Sequence, residues 1–171
     1  GGVGEASIQQ GNSSISKMRM EKVNLSPCFT LREDFTNGLV PRFNNNGELA
    51  PEKLDLILEG TLKNTLVSSR TSKEYGITSN FASDNESLRS PVLATGDLDE
   101  NDILNSLGTG IYLSNLHYLN WSDRIGGRIT GMTRYACFWV ENGEIVGPIE
   151  NMRFDDSIYD FFGENLESVT N

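Results

Sequence analysis

The chain has 171 residues, of which 37% are hydrophobic and 22% charged, a composition that indicates a folded domain and excludes intrinsic disorder. Its 14 basic and 24 acidic side chains give a net charge of −10, which repels nucleic-acid phosphates and anionic membrane surfaces. We therefore expect no direct contact with nucleic acid and none with a membrane.

The first 16 residues form a segment with few large apolar side chains. Gly, Ser, Gln and Asn predominate there, and Ile8 and Ile15 are the only sizeable apolar residues. We predict a flexible lead-in over residues 1–16 and a single folded domain over residues 17–171. Because the chain begins with two glycines rather than methionine, we also expect it to be part of a longer protein.

Weak strand signals and two polar loops follow. Residues 18–31 carry a loose alternation of apolar and polar side chains, which is typical of half-buried strands. Residues 34–51 and 77–89 are rich in Asn, Ser and Gly, and we predict that both are exposed, mobile loops.

Between these loops the sequence predicts a hairpin and a helix. Residues 54–59 and 62–68 are expected to pair as strands, with the glycine between them in the turn. A short helix capped by Ser69 or Thr71 should end at Gly76, because glycine is favoured just after a helix.

The C-terminal half alternates strands with short helices. We predict strands over residues 91–95 and 110–118, and helices over residues 99–107 and 156–169. Taken together, the predicted strands and helices indicate an α+β fold. It should be mostly antiparallel β, with a barrel-like or sandwich sheet and a few short helices.

The clearest local signal is Asn142-Gly143, which lies between two apolar-rich runs. Both residues of a type I′ turn have positive φ, and this dipeptide tolerates that conformation. The sequence therefore predicts a β-hairpin centred on this pair.

The residues around this hairpin resemble a known family. Residues 138–149 read Phe-Trp-Val-Glu-Asn-Gly-Glu-Ile-Val-Gly-Pro-Ile, similar to the C-terminal part of the TldD/PmbA family of metallopeptidase-related proteins, also described as modulators of DNA gyrase. Residues 58–76 and 108–116 resemble, in the same order, an earlier hairpin with its helix and the strand before the last hairpin. The resemblance extends from about Lys17 onward. Met132 stands where many relatives have Asp, so no role of that Asp is carried over.

The resemblance implies that this is the C-terminal β-rich domain of a cytoplasmic protein involved in proteolysis of unfolded peptides. It further implies a homodimer, or a heterodimer with a TldD-like subunit, which encloses a peptide-accessible cavity. In this interpretation the domain shapes the cavity and forms the dimer. One alternative is that the chain belongs to an active zinc metallopeptidase whose zinc helix lies upstream. Another is a non-proteolytic binding module.

The zinc chemistry of that family cannot be built from this chain. A hydrolytic zinc needs about three protein ligands, and the family motif supplies two His from one helix, whereas this chain has only His117. We expect no catalytic, cofactor or metal residue here, and zinc is left to the full-length protein or its partner. The resemblance also implies a third ligand, a Cys after the final hairpin. No Cys follows Asn142, which favours the non-catalytic, PmbA-like branch.

The segment around His117 mixes aromatic and hydrogen-bonding side chains, as peptide-binding surfaces do. The simpler interpretation is a strand-end histidine bonded to backbone. The candidates for peptide or partner contact are Asn115, His117, Asn120, Trp121, Asp123 and Arg124. For Arg124, Arg128 and Arg134 we expect ion pairs with local carboxylates rather than stacking on bases, because the chain is strongly acidic.

The two cysteines bear on the redox compartment. Cys28 and Cys137 lie far apart in the sequence. We expect two free, mostly buried thiols in a reducing cytoplasm, with a structural disulfide as the alternative.

Overall fold

The computed structural model describes residues 2–171 and contains three antiparallel sheets. The helices are α1 (Glu5–Gln9), α2 (Ser16–Met20), α3 (Ser69–Tyr75) and α4 (Ile103–Leu107), with a 3₁₀ turn over Glu100–Asp102 and a π-helical turn over Asp160–Glu164. The strands are β1 (Leu31–Asp34), β2 (Lys53–Leu58), β3 (Thr61–Leu62), β4 (Pro91–Leu93), β5 (Gly110–Leu113), β6 (Leu116–Asp123), β7 (Arg128–Thr133), β8 (Cys137–Glu141), β9 (Glu144–Pro148) and β10 (Arg153–Ser157). The predicted α+β, mostly antiparallel fold is confirmed, as sheets that do not close into a barrel.

The first sheet holds the first four strands, whereas the strands of the second and third sheets alternate along the chain. The first has the order β3-β2-β1-β4, the second β10-β7-β6 and the third β5-β8-β9. The main hydrophobic core lies under the first sheet and is built by Val3, Ile8, Ile15, Met18, Leu25, Leu56, Ile57, Leu66 and Ala82. None of the helices over residues 2–171 is long and apolar enough to cross a bilayer.

The prediction of a flexible lead-in over residues 1–16 is wrong for the described residues 2–16. The amide of Glu5 donates to the carbonyl of Leu66 at 2.9 Å, and Ile8 and Ile15 are buried in the core. The few apolar side chains of this segment suffice because Val3, Ile8 and Ile15 fill the core, while the buried Glu5 and Ser13 hydrogen-bond to Thr65 and to the carbonyl of Gly2. Residues 16–20 are helical rather than extended, since Ser16–Met20 forms α2.

The first hairpin is confirmed, with Gly60 in its turn at φ +73°. Its second strand is short, because β3 covers only Thr61–Leu62. The helix that follows is α3, and its cap is Ser68 rather than the predicted Ser69 or Thr71, since the Ser68 side chain accepts a hydrogen bond from the amide of Thr71. The predicted end at Gly76 is confirmed, and that residue has φ +68°.

The strand predicted over residues 110–118 is divided into two. β5 pairs with β8 in the third sheet, whereas β6 pairs with β7 in the second. The chain changes sheets at Ser114 and Asn115, where polar residues interrupt the apolar pattern, and the Asn115 carbonyl accepts the amide of Arg134 at 3.2 Å.

The last hairpin is confirmed as β8 and β9 joined by Asn142 and Gly143, at φ +51° and +80°. The helix predicted over residues 156–169 is confirmed only in part, because residues 158–164 are helical and the last five of them form the π-helical turn. β10 occupies its first part, and Gly163 has the non-helical angles φ −97° and ψ −124°. Two adjacent rings serve different contacts, because Phe161 packs on Phe154 at 5.8 Å while Phe162 packs on Phe29 at 5.1 Å.

The two polar loops carry no long strand or helix, but they are more firmly held than we predict from their composition. Asn44 is buried, and its amide donates to the carbonyl of Ala82 at 3.2 Å, which joins one loop to the other. The Glu33 carboxylate accepts the amides of Arg89 and Ser90 at 2.9 and 3.2 Å. Buried polar side chains therefore anchor both loops.

Both cysteines are free. Cys137 is buried, with its Sγ 3.4 Å from the carbonyl of Arg134, as expected for a packed thiol. Cys28 is exposed, so the prediction of two buried thiols is correct only for Cys137.

Candidate functional site

The six residues singled out by the sequence lie along one edge of the second sheet. β6 pairs only with β7, so its other side is an open sheet edge. Asn115 precedes the strand and Arg124 follows it, and we refer to residues 115–124 as the β6 edge. His117 and Trp121 are half-buried, and Asn115, Asn120, Asp123 and Arg124 are exposed.

A bulge changes the direction of β6 near its start. His117 lies opposite Met132, but Asn120 lies opposite Thr130, so β6 holds one extra residue there. Tyr118 occupies this bulge with φ +52°, a conformation that side-chain-bearing residues rarely adopt. Its ring is 67% exposed, and the bulge therefore turns an aromatic side chain toward solvent.

Four side chains meet at this end of the edge, and we call Arg134, His117, Tyr118 and Tyr135 the Arg134 cluster. The Arg134 guanidinium carbon lies 5.7 Å from the Tyr118 ring centroid and 5.4 Å from that of Tyr135. Its Nη1 lies 3.4 Å from Nδ1 of His117. The His117 ring stands edge-on to Tyr118 and Tyr135, at centroid distances of 4.4 and 6.4 Å.

The turn from β7 to β8 positions two members of the cluster. Arg134 is tied to Asn115 through its amide, and the amide of Cys137 donates to the Tyr135 carbonyl at 2.9 Å. Tyr135 has φ +67° and a ring that is 68% exposed. Two tyrosines with left-handed backbone therefore converge on one arginine. Backbone strain of this kind clusters at functional sites.

The opposite end of the β6 edge is organised by a turn and a stacked arginine. Asp123 Oδ1 accepts the amide of Gly126 at 3.0 Å, and the Arg124 guanidinium lies 6.0 Å from the centroid of a Trp121 ring. Asp123 and Arg128 also line an open groove of about 360 Å³. The six candidates thus share one edge, with Asn115 and His117 near its start, Trp121, Asp123 and Arg124 near its end, and Asn120 between the two groups.

The expected ion pairs form at only one of the three arginines. Arg128 contacts Asp155 at 2.6 Å, and this ion pair lowers the pKa of Asp155. Within residues 2–171, neither Arg124 nor Arg134 has a carboxylate within ion-pair distance.

Sequence reasoning missed Tyr118, Arg134 and Tyr135 as members of the site. Tyr118 follows His117 directly in the sequence, so it could have been included in the site on that ground. Arg134 and Tyr135 come from another strand end, and they are assigned to the site only once the register of β6 with β7 is known.

His117 does not fit a zinc site. A guanidinium offers only hydrogen-bond donors, so Nδ1 of His117 can meet the Arg134 contact only as an acceptor. The positive charge of Arg134 beside the His117 ring disfavours the binding of a zinc ion to that ring. No group of three or more His, Cys, Asp or Glu side chains suited to a metal ion occurs within residues 2–171.

The fold is shared with solved structures of longer proteins. A proposed modulator of a DNA gyrase from Thermotoga maritima is 18% identical, with a TM-score of 0.83 over 99% of this chain and 40% of that chain. A proposed modulator of DNA gyrase from Bacteroides thetaiotaomicron is 18% identical, with a TM-score of 0.77 over 95% of this chain and 36% of that chain. TldE from Thermococcus kodakarensis is 18% identical, with a TM-score of 0.76 over 95% of this chain and 38% of that chain.

This chain therefore spans 36% to 40% of the length of those structures. No curated protein matches it significantly in sequence. The family described as the PmbA/TldA metallopeptidase C-terminal domain matches residues 1–171, the whole length of the chain. The chain thus belongs to the TldD/PmbA family, as its C-terminal domain.

Proposed function

We propose that this domain shapes the peptide cavity and supplies the subunit contact in a PmbA-like, non-metal-bearing member of a cytoplasmic peptidase assembly. Its partner is a second copy or a TldD-like subunit, its substrate is an unfolded peptide, and hydrolysis takes place at zinc on the catalytic partner. The observation that carries this proposal is the β6 edge, an open strand edge bearing exposed aromatic and polar side chains.

An open edge suits an extended peptide because its unpaired backbone groups can bond a further strand. On this chain the edge also carries large exposed apolar side chains, since Leu116 is 43% and Leu119 57% exposed. An unfolded peptide offers both free backbone groups and apolar side chains, so it complements this edge.

A second apolar surface supports the subunit contact. Ile111, Leu113 and Trp139 share one face of the third sheet, because Ile111 lies opposite Trp139 and side chains alternate along a strand, and all three are exposed. Large exposed apolar patches mark interaction sites, and a surface on a different sheet from the β6 edge leaves that edge free for peptide. We assign the third sheet to the subunit contact.

Peptide binding is tested by titrating the chain with a labelled unfolded peptide and measuring fluorescence anisotropy. Leu119→Lys should weaken binding about tenfold, since it places a charge where an apolar contact forms. Met20→Lys is the matched control, because Met20 is 77% exposed and lies on α2. Equal affinities for both variants and the unaltered chain would contradict the assignment of the edge.

The division of labour is tested with the full-length protein and a TldD-like subunit, alone and mixed. We expect chelator-sensitive cleavage of unfolded peptide only when the TldD-like subunit is present. Chelator-sensitive cleavage by the full-length protein alone would favour the active metallopeptidase, and peptide binding without cleavage in any mixture would favour a non-proteolytic binding module.

A further inference from the structure

We propose that the Arg134 cluster is a carboxylate-binding site, which holds a peptide carboxylate between the rings of Tyr118 and Tyr135. The proposal rests on the proposed function only in taking a peptide as the natural ligand. It adds a chemical preference that neither the open strand edge nor the family membership supplies.

The first support is the unpaired charge of Arg134. Arg19, Arg32, Arg42 and Arg128 each contact a carboxylate at 3.1 Å or less. No carboxylate of residues 2–171 lies within ion-pair distance of Arg134, which shares this property with Arg70, Arg89, Arg124 and Arg153 but differs from them in its two aromatic walls. A guanidinium has five N–H donors, and among the described residues the one polar side-chain contact of Arg134 is the 3.4 Å approach of Nη1 to His117. The remaining donors form the fork that binds a carboxylate through two parallel hydrogen bonds.

The second support is the pre-organisation of the fork. The Tyr118 and Tyr135 rings lie within 6 Å of the guanidinium, and His117 contacts one of its nitrogen atoms. These contacts limit the side-chain rotamers of Arg134, so less entropy is lost when a ligand binds. Two tyrosines held in left-handed backbone conformations are difficult to explain as packing, because both rings are two-thirds exposed.

The electrostatic background makes a local cation necessary. A chain of net charge −10 repels anions in general, so the overall field disfavours a bound carboxylate. Any preference for the charged form of a ligand must therefore come from a local cation with the right geometry. Arg124 also stacks on an aromatic ring and lacks a carboxylate, but it has neither a second aromatic wall nor a histidine contact.

The test uses the 171-residue chain and two small probes, N-acetylphenylalanine and its amide, followed by amide chemical shifts in NMR titrations. We expect the carboxylate form to bind about tenfold more tightly than the amide, the size expected for charge-assisted bonds to arginine. Shifts should centre on Arg134, Tyr118 and Tyr135. An amidated peptide with an internal glutamate then distinguishes a side-chain carboxylate from a chain terminus as the natural source.

Arg134→Gln should reduce the ratio of the two affinities to about one, and Arg134→Lys should retain only part of it, because an ammonium cannot form the fork. Arg153→Gln is the matched control, since Arg153 is exposed on the same sheet and should leave the ratio unchanged. Measuring a ratio within each variant removes any effect of stability. The proposal would be overturned if the unaltered chain bound the carboxylate and the amide equally well. It would also be overturned if Arg134→Gln kept the preference for the carboxylate.

Failure of this site and failure of the proposed function are distinguishable. Unfolded peptides that bind the β6 edge without regard to amidation would refute the carboxylate site alone. Carboxylate-selective binding of the small probe without any affinity for longer peptides would instead refute the peptide-binding role of the edge.

Discussion

Glu5 and Arg19 form a two-point ion pair that joins α1 to α2, with oxygen–nitrogen distances of 2.6 and 2.7 Å. Glu5 is almost completely buried, and its carboxylate also accepts hydrogen bonds from Thr65 and Gln9. A residue in a segment of flexible composition is thus the centre of a fully bonded polar network, which anchors the N-terminal segment to the core.

We predict that this ion pair makes the domain acid-labile. The hydrogen bond from Arg19 is the main cause that lowers the pKa of Glu5 from 4.5 to about 2. Because the folded-state pKa is depressed, the stabilisation is fully present above about pH 4.5 and is lost as the pH falls toward 2. A shift of this size corresponds to about 3 kcal/mol of unfolding free energy at neutral pH.

Glu5→Gln tests this by urea unfolding at a series of pH values. The variant should be less stable by about 3 kcal/mol at pH 7, and the difference should shrink as the pH approaches 2. Glu52→Gln is the control, because Glu52 pairs with Arg42 at the surface with 71% of its side chain exposed, and it should cost less than about 1 kcal/mol. If the difference in unfolding free energy between Glu5→Gln and the unaltered chain did not change with pH, the ionised Glu5 carboxylate would not be the source of the stabilisation.

A second prediction concerns Glu86, which anchors the loop of residues 77–89. Its carboxylate is buried and accepts the amides of Ala6 and Ser68, at 2.8 and 2.9 Å. Glu86→Gln replaces one acceptor oxygen by a donor group, which should destabilise the domain by about 2 kcal/mol. Hydrogen exchange should show faster exchange at both amides. Asp84→Asn, an exposed change in the same loop, should leave them protected.

A third prediction concerns Gly60, where the chain turns between β2 and β3. Gly60 has φ +73°, and a β-carbon there would collide with the carbonyl of Leu25. Gly60→Ala should therefore cost more than about 2 kcal/mol in thermal or urea unfolding. Gly47→Ala isolates the backbone contribution, since Gly47 has φ +76° with nothing within 4 Å, and should cost about 1 kcal/mol. Equal costs would show that the collision is relieved by a small shift of the chain.

The sequence predicted those features that depend on local conformation. Positive φ at Asn142 and Gly143 determines the last hairpin, and Gly76 ends α3, because few residue types adopt those angles. The sequence did not predict features that depend on distant partners. The burial of residues 2–16 depends on Arg19, Thr65 and Glu86, which lie as many as 80 positions away. Composition cannot reveal that such partners exist.

The same distinction applies to the candidate site. The six candidate contact residues could be grouped from the sequence because they lie within ten consecutive positions, 115–124. The Arg134 cluster was not found, because the turn after β7 reaches His117 only through the pairing of two strands. The expected ion pair at Arg134 was wrong for a related reason, since a count of nearby acidic residues does not give the direction of a side chain.

The last prediction concerns the backbone strain of Tyr135. Its φ of +67° costs an L-residue about 1 kcal/mol, whereas Asn tolerates this conformation. Because the ring is 68% exposed, Tyr135→Asn loses little burial, and a surface cation–π contact is worth only about 0.5–1 kcal/mol. We therefore expect the unfolding free energy to stay within about 0.5 kcal/mol of the unaltered chain.

Tyr112→Asn is the matched control for Tyr135→Asn. Tyr112 is half-buried on β5 and packs on Phe138 at a centroid distance of 6.4 Å, so its loss should cost more than about 1 kcal/mol. If the Tyr135 ring contributes to carboxylate binding, the Tyr135→Asn variant should be as stable as the unaltered chain. It should, however, lose part of the preference for N-acetylphenylalanine over N-acetylphenylalanine amide. A loss of more than about 1 kcal/mol for Tyr135→Asn would instead make the ring a structural element, and its strain would then need no ligand to explain it.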